Sequence, residues 1–226
     1  AIMRVTYPEA EQASLVVDAY DDGSYVKVLP EQNMAVGYTT KNGKIYAVGG
    51  MWSQETNGNL PGEVHVWDGT TWGHFEQPTP EQLGHNNVDY LCMDFDPLKE
   101  GHVMVGAKSG LYEFQDGKLA KCYNSNNSPM ESAASNNSPN YAMANGVKYD
   151  ANGNLWVLNC KSTNPLKLLT KEGEWKELKH SSFAGNYSRD VKEIFISPTY
   201  GYMWFINSYW EETKLFAYDY QNDKLY

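Results

Sequence analysis

Apolar residues come along this chain in short runs, each stopped after a few positions by Gly, Pro, Asn or Asp. Residues 88–124 read VDYLCMDFDP, HVMVGA, GLYEFQDG and KLAKCYN. Residues 143–180 keep that order as MANGVKYDANG, NLWVLNC, PLKLLTKEG and EWKELKH, and residues 191–226 as VKEIFISPTYG, YMWFINS, KLFAYDYQ and DKLY. Such runs, rich in β-branched and aromatic residues and bounded by turn formers, predict strands joined by hairpins. Each unit then reads as a four-stranded antiparallel meander. The second run of each unit is apolar without alternating, as a strand buried on both faces requires. No stretch predicts a helix of three turns.

The turn before the fourth strand sets a period. It appears as DGSYVKV at 22–28, DGTTWGHF at 68–75, DGKLAKC at 116–122 and EGEWKEL at 172–178, with a degraded copy, NDKLY, at 222–226. Successive turns lie 46, 48, 56 and about 51 residues apart. That spacing belongs to a propeller blade, whose four strands repeat as a block. The chain is therefore expected to be all-β, a β-propeller of four-stranded antiparallel blades. About five blade units are expected, at roughly 1–30, 33–76, 85–124, 141–180 and 188–226. With both ends falling inside a repeat, this reads as one propeller domain or as a segment of a larger propeller.

One turn imitates a metal loop. Asp150, Asn152 and Asn154 occupy the first, third and fifth positions of a calcium loop, which also needs Gly at position 6 and an acid at position 12. Those positions hold Leu155 and Lys161. The equivalent turns DPLKEG at 96–101 and SPTYG at 197–201 share turn chemistry but no ligand set. A hairpin turn is expected here, with no metal and no cofactor.

Composition narrows the function. The 226 residues carry a net charge of -10, which argues against a nucleic-acid partner, since phosphate binding wants clustered Lys and Arg. No apolar run approaches the roughly 18 residues of a membrane helix, and Ala1 is not followed by the basic and apolar regions of a signal peptide. Cys92, Cys122 and Cys160 form no CxxC pair and read as buried free thiols. The five histidines are scattered, without metal-hydrolase spacing, and Ser109 lacks the glycines of a nucleophile elbow. His65 and His102 read as packed or edge histidines, and Glu211 and Glu212 as a solvated loop pair. No enzyme is expected.

The stretch VKYDANGNLWVLN followed by KLLTKEGEWKEL resembles the two-component-regulator propeller repeat. More particular is GGMWSQETNGNLPGEVHVWDGTTWGHF, followed by MDFDPLKEGHVMVGAKSGLYEFQDGKLAKCYNSNNSP. In its order of GG, PG, WDG, DP, GLYEF, NSP and GNLW, it is similar to the PorZ-like propellers of type IX secretion in Bacteroidetes. The similarity runs from about residue 36 to 180. It implies an exported, non-enzymatic recognition propeller, periplasmic or at the cell surface, serving secretion or attachment. Its partner would be a protein or a glycan, with lipopolysaccharide the glycan of that family. The alternative is the extracellular sensor propeller of a two-component regulator, binding an oligosaccharide.

Loop lengths predict where such a ligand sits. In an up-and-down blade, connections after the second and fourth strands emerge on one face, and those after the first and third on the other. The latter are tight turns. The former are long, and long loops on a rigid scaffold carry binding residues. They hold Trp52, Lys161, Asn164, Tyr209 and Trp210, which are the predicted ligand-binding residues, joining flat aromatic faces to hydrogen-bonding groups. The same aromatics are also suited to covering the ends of the inter-blade core, and that alternative stays open. Trp72, Trp156, Trp175 and Trp204 lie within strands and read as core or blade-packing residues. The run NSNNSPMESAASNNSP is low in complexity, and its composition suits a mobile loop.

Overall fold

The computed structural model describes residues 2–6, 16–20, 35–50, 58–183 and 189–226. The first two strands, β1 (Ile2–Thr6) and β2 (Val16–Tyr20), pair antiparallel with each other. Four antiparallel four-stranded sheets follow. The first holds β3 (Ala35–Lys41), β4 (Lys44–Gly49), β5 (Glu63–Trp67) and β6 (Trp72–His74). After the short helix α1 (Pro80–Leu83) come β7 (Tyr90–Phe95), β8 (His102–Ala107), β9 (Gly110–Gln115) and β10 (Lys118–Tyr123). The third sheet is β11 (Ala144–Tyr149), β12 (Leu155–Asn159), β13 (Leu166–Leu169) and β14 (Trp175–Glu177). The fourth is β15 (Val191–Ile196), β16 (Tyr202–Asn207), β17 (Lys214–Asp219) and β18 (Lys224–Leu225). Strand order within each sheet follows the sequence, so each sheet is a meander and a propeller blade.

The blades stack in sequence order. The first strands of neighbouring sheets lie side by side, β3 beside β7, β7 beside β11 and β11 beside β15. Three apolar layers fill the gaps between sheets. Val48, Val64 and Tyr90 meet Tyr112 and Phe114 in the first, Met104 and Leu111 meet Val147 and Leu155 in the second, and Trp156 and Leu158 meet Phe205 and Phe216 in the third. Strands β8 and β12 are buried along nearly their whole length, which explains their missing alternation. Each first strand is also irregular near its start, where the pairing shifts at Ala35/Gly37, Tyr90/Cys92, Ala144/Gly146 and Lys192/Phe195. A bulge adds local twist, and its recurrence gives every blade the same bend at the same end.

Turn chemistry matches the residues. Asn42 and Gly43 both take positive φ in the two-residue β3–β4 hairpin, as a type I′ turn demands. Asp150 is fully engaged as a turn former. Its Oδ1 accepts from the backbone N–H groups of Asn152 and Asn154, both at 2.9 Å, and its Oδ2 accepts from Asn154 Nδ2 at 3.0 Å.

Some expectations change. Trp156 is buried and Trp175 is half-buried against the second apolar layer, as expected, and Trp72 is half-buried beside Trp67, whereas Trp204 is exposed on the fourth sheet. The run 124–139 is not a loose loop. Asn124 Oδ1 accepts from Asn126 N–H, Ser128 Oγ donates to Asn124 O, Ser132 Oγ donates to Ser138 O, and Pro139–Tyr141 forms a 3₁₀ turn. Its polar side chains fold back on its own backbone, which gives the run a defined path. The cysteines are free, with Cys160 fully buried and Cys92 and Cys122 half-buried, and burial pushes the Cys92 and Cys122 thiols up to about 12.

Candidate functional site

The connections 58–62, 75–89, 124–143, 160–165 and 208–213, with residues 178–183 and 189–190, all follow a second or a fourth strand, which in a meander puts them at one end of the blades. The second sheet breaks the pattern, because β8 turns into β9 through Lys108 and Ser109 alone. Both residues are buried. Lys108 Nζ reaches Asn59 Oδ1, lies 4.0 Å from Asp89 Oδ2 and sits 5.3 Å above the Tyr141 ring. Its pKa is lowered, first by burial and further by the nearby positive charge of Lys161, with Asp89 opposing.

Lys161 opens the β12–β13 loop with a left-handed backbone, φ 56°, and an exposed side chain. Asn164 is turned inward, its Nδ2 donating to Glu177 Oε1 at 3.3 Å. Beneath them lies a lock. The Glu131 carboxylate accepts from Ser162 Oγ at 2.7 Å, Thr163 Oγ1 at 2.9 Å and Thr163 N–H at 3.0 Å. Lys167, with 0% of its side chain exposed, lies 2.6 Å from Glu177 Oε2 and 3.6 Å from Glu131 Oε1. Asn159 completes it, its Oδ1 accepting from Glu131 N–H and its Nδ2 donating to Glu131 O and Met143 O. The bonds within this lock lower the pKa of Glu131 even though burial raises it.

The second group stands on the fourth sheet. Tyr209 is only 8% exposed, its ring under the Arg189 guanidinium at 4.9 Å. Arg189 Nη1 donates to the Tyr209 hydroxyl, which donates onward to Glu211 Oε2, both at 2.9 Å. That bond to Glu211 is the main cause of the raised pKa of Tyr209. Ser208 N–H bonds to Asp190 O, Asn207 Nδ2 to Glu212 O, and Thr213 Oγ1 to Tyr209 O, so the whole turn is held. On this pedestal Trp210 is 75% exposed, its ring 6.0 Å from Tyr209.

Of the five predicted residues, Trp52 lies outside the described residues. Lys161 and Asn164 share one loop, and Tyr209 and Trp210 the next. Among the described residues no hydrogen bond or ring contact joins the two pairs. Lys161 and Trp210 offer themselves to solvent, whereas Asn164 and Tyr209 are already spent within the protein. Residue-by-residue reading missed Arg189, Glu131, Lys108 and Lys167. Arg189 carried a signal, being one of only two arginines in the chain and lying on a long connection.

The opposite face is richer than its tight turns suggest. Between the first and second sheets it holds a cleft of about 1240 Å³, lined from both sheets by Tyr46, Phe75 and Phe95 among others. A smaller cavity of about 290 Å³ separates the second and third sheets. On its wall His102 is clamped by two carboxylates, Nδ1 at 2.9 Å from Asp96 Oδ2 and Nε2 at 2.9 Å from Glu113 Oε1. Tyr149 hydroxyl lies 3.3 Å from Nδ1, and Tyr123 hydroxyl donates to Glu113 Oε2 at 3.1 Å. The bonds to Glu113 and Asp96 raise the His102 pKa against its burial, and the same contact lowers that of Glu113. His102 is therefore an ion-paired residue, which "packed" understated. Among the described residues no group of three His, Cys, Asp or Glu side chains is arranged to hold a metal ion.

No protein-family model matches the chain, and no curated protein matches it. Solved structures do. PorZ, described as an essential bacterial surface component of the type-IX secretion system of Porphyromonas gingivalis, superposes with a TM-score of 0.67 at 22% identity, over 92% of this chain and 27% of PorZ. The extracellular domain of a one component system from B. thetaiotaomicron gives 0.53 at 15% identity, over 84% of this chain and 22% of that one. A GH74 enzyme gives 0.50 at 15% identity, over 81% of this chain and 25% of the enzyme. These likenesses establish the propeller fold, in agreement with the resemblance in the repeat. The chain spans about a quarter of the length of these structures, and the fold serves enzymes as well as binding proteins.

Proposed function

We propose that this chain is a non-enzymatic recognition propeller. It is exported to the periplasm or cell surface and binds a protein partner or a glycan in secretion or attachment. The observation that carries this reading is Trp210, an exposed indole on a turn held by the Arg189–Tyr209–Glu211 bonds. A large apolar group kept in water by a rigid support loses little freedom on binding, which is the economy of a hot spot. Lys161, exposed on the neighbouring blade, adds a cation to the same face. Fold likeness to a bacterial surface component of a secretion system supports the setting.

A second reading is the sensor part of a regulator that binds an oligosaccharide. It is favoured by fold likeness to extracellular domains of one-component and two-component systems. One experiment separates the two. Wild-type protein and Trp210→Ala are run on a glycan array and in a cross-linking survey of native cell surfaces. Binding of neutral oligosaccharides alone favours the sensor, and protein cross-links or binding of an anionic glycan favour the secretion assembly. In either case Trp210→Ala is expected to weaken binding about thirtyfold, the loss of about 2 kcal/mol at a hot spot. Undiminished binding by the variant sinks the long-loop face as the site.

A further inference from the structure

The His102 ring stands on β8, and its partners come from two blades. Asp96, which opens the 96–101 turn, and Glu113 on β9 belong to its own blade, as does Tyr123 on β10, which reaches the ring through Glu113. Tyr149 comes from β11 of the third blade, its hydroxyl 3.3 Å from Nδ1. Nδ1 therefore faces both the Asp96 carboxylate, at 2.9 Å, and the Tyr149 hydroxyl. A ring nitrogen is a donor or an acceptor, so it serves these two partners in different protonation states. The remaining charges nearby are Lys99 of the same turn, Lys171 of the β13–β14 turn with Glu172 4.0 Å away, and Asp94 on β7, paired with Lys148 of β11.

With both nitrogens protonated, Nδ1–H donates to Asp96 and Nε2–H to Glu113. Loss of one proton leaves two neutral tautomers, and each sets a bare nitrogen against a carboxylate. If Nδ1 keeps its hydrogen, a bare Nε2 faces Glu113 Oε1 at 2.9 Å and has no donor in reach. If Nε2 keeps it, the bond to Glu113 survives and Nδ1 accepts from the Tyr149 hydroxyl. Glu113 is also held by Tyr123, whereas Asp96 stands at the head of a surface turn. The second tautomer wins, and Asp96 is the carboxylate that gives way.

Asp96 also holds the near end of the turn, its Oδ1 accepting Leu98 N–H at 2.8 Å. The far end is fastened elsewhere, with Asp116 N–H on Gly101 O at 2.9 Å and Gln115 Nε2 on Glu100 O at 3.0 Å. Leu98 lies against the third blade, where a Cβ added to Gly153 would meet its Cδ1 at 2.7 Å. Asp96, Leu98 and Lys99 border the cavities on both sides of the second blade. We propose that His102 is a proton-operated clasp. Protonated, it holds the 96–101 turn of its own blade through Asp96; neutral, it takes Tyr149 of the third blade instead and releases the near end of that turn. The mouths of both cavities then change with pH. The bonds to Glu113 and Asp96 that raise the His102 pKa place the release above the ordinary imidazole value of about 6.5. The clasp goes beyond the recognition reading and does not depend on it, since no ligand enters the argument.

Imidazole nitrogen NMR on the whole chain, recorded from about pH 5 to about pH 9, reads the tautomer directly. Above its midpoint His102 should carry its hydrogen on Nε2, and the Leu98 and Lys99 amide signals should move with the same midpoint. Tyr149→Phe removes the donor that serves the neutral ring. The proton affinity of His102 should then rise about three- to tenfold, the scale of one hydrogen bond. A phenyl ring that only packed there would leave that affinity unchanged or lower it, since burial disfavours the charged ring. If the variant folds poorly, the wild-type spectra alone decide. A neutral ring protonated on Nδ1, Leu98 and Lys99 amides that ignore the midpoint, or a proton affinity not raised in a folded Tyr149→Phe would each overturn the clasp.

Discussion

His102 shows how a single side chain ties stability to pH. Protonated, its two ring N–H groups donate to Asp96 and Glu113, and this raises its pKa above the ordinary 6.5. A group whose pKa is higher in the folded than in the unfolded state stabilises fully below the unfolded value. That contribution is lost as pH rises through the folded value. Glu113 works in the opposite sense, its lowered pKa giving stability above the ordinary carboxylate range that is lost on acidification. Thermal melts should therefore show Tm falling as pH rises above the ordinary imidazole value of about 6.5. His102→Gln should flatten that slope while lowering Tm at the acid end. A slope unchanged in the variant would mean that other groups carry it.

At the scale of elements, loops and sheets are held by contacts between distant parts of the chain. Glu131 clips the 124–143 connection onto the β12–β13 loop through Ser162, Thr163 and the buried Lys167. Glu131→Ala removes these partners and leaves Lys167 with Glu177 and Ser162. A loss of about 2 kcal/mol is expected, the usual scale for hydrogen bonds to a charged group. Hydrogen exchange should quicken chiefly in 124–143, leaving β7–β10 protected. Sheet-to-sheet packing has its own sharp point at Gly106, where an added Cβ would lie 2.6 Å from both Ala144 O and Cys92 Sγ. Gly106→Ala must push the second and third blades apart. We expect it to cost about 2–3 kcal/mol in urea unfolding.

In the whole molecule each described blade touches its neighbours in sequence, so stability approximates a sum of blade and interface contributions. Asp94 is a staple at one such interface. From β7 it accepts the Tyr149 N–H at 2.8 Å and pairs with Lys148 at 3.0 Å, both on β11. Asp94→Ala should lower stability by about 1–2 kcal/mol, because the partly buried Tyr149 N–H loses its charged acceptor, while the half-exposed Lys148 matters less. In a nearest-neighbour array the loss should also broaden the urea transition. A sharp transition with an unchanged midpoint would show the interface to be held by its apolar layer alone.

Much of this architecture was legible in order of residues alone. The four runs per unit, the acid-Gly turn near every fiftieth residue and the apolar second strands are local signals. Strand length, hairpin chemistry and burial on both faces impose them within a few positions. Lys161 and Trp210 could be placed on long loops from sequence, but that both would be exposed was not legible there, since the same aromatics also suited covering the core. Other features join residues from about ten to about fifty positions apart, on different strands and loops, and no local pattern records which of them meet. Tyr209 is buried and Trp210 exposed because Arg189, from the preceding connection, covers one ring and leaves the other in water. Lys108 and Lys167 look like surface lysines until Asp89, Glu131 and Glu177 surround them. The aromatic cleft joins Tyr46 and Phe75 of the first blade to Phe95 of the second, a meeting between sheets that pairing within each blade does not specify.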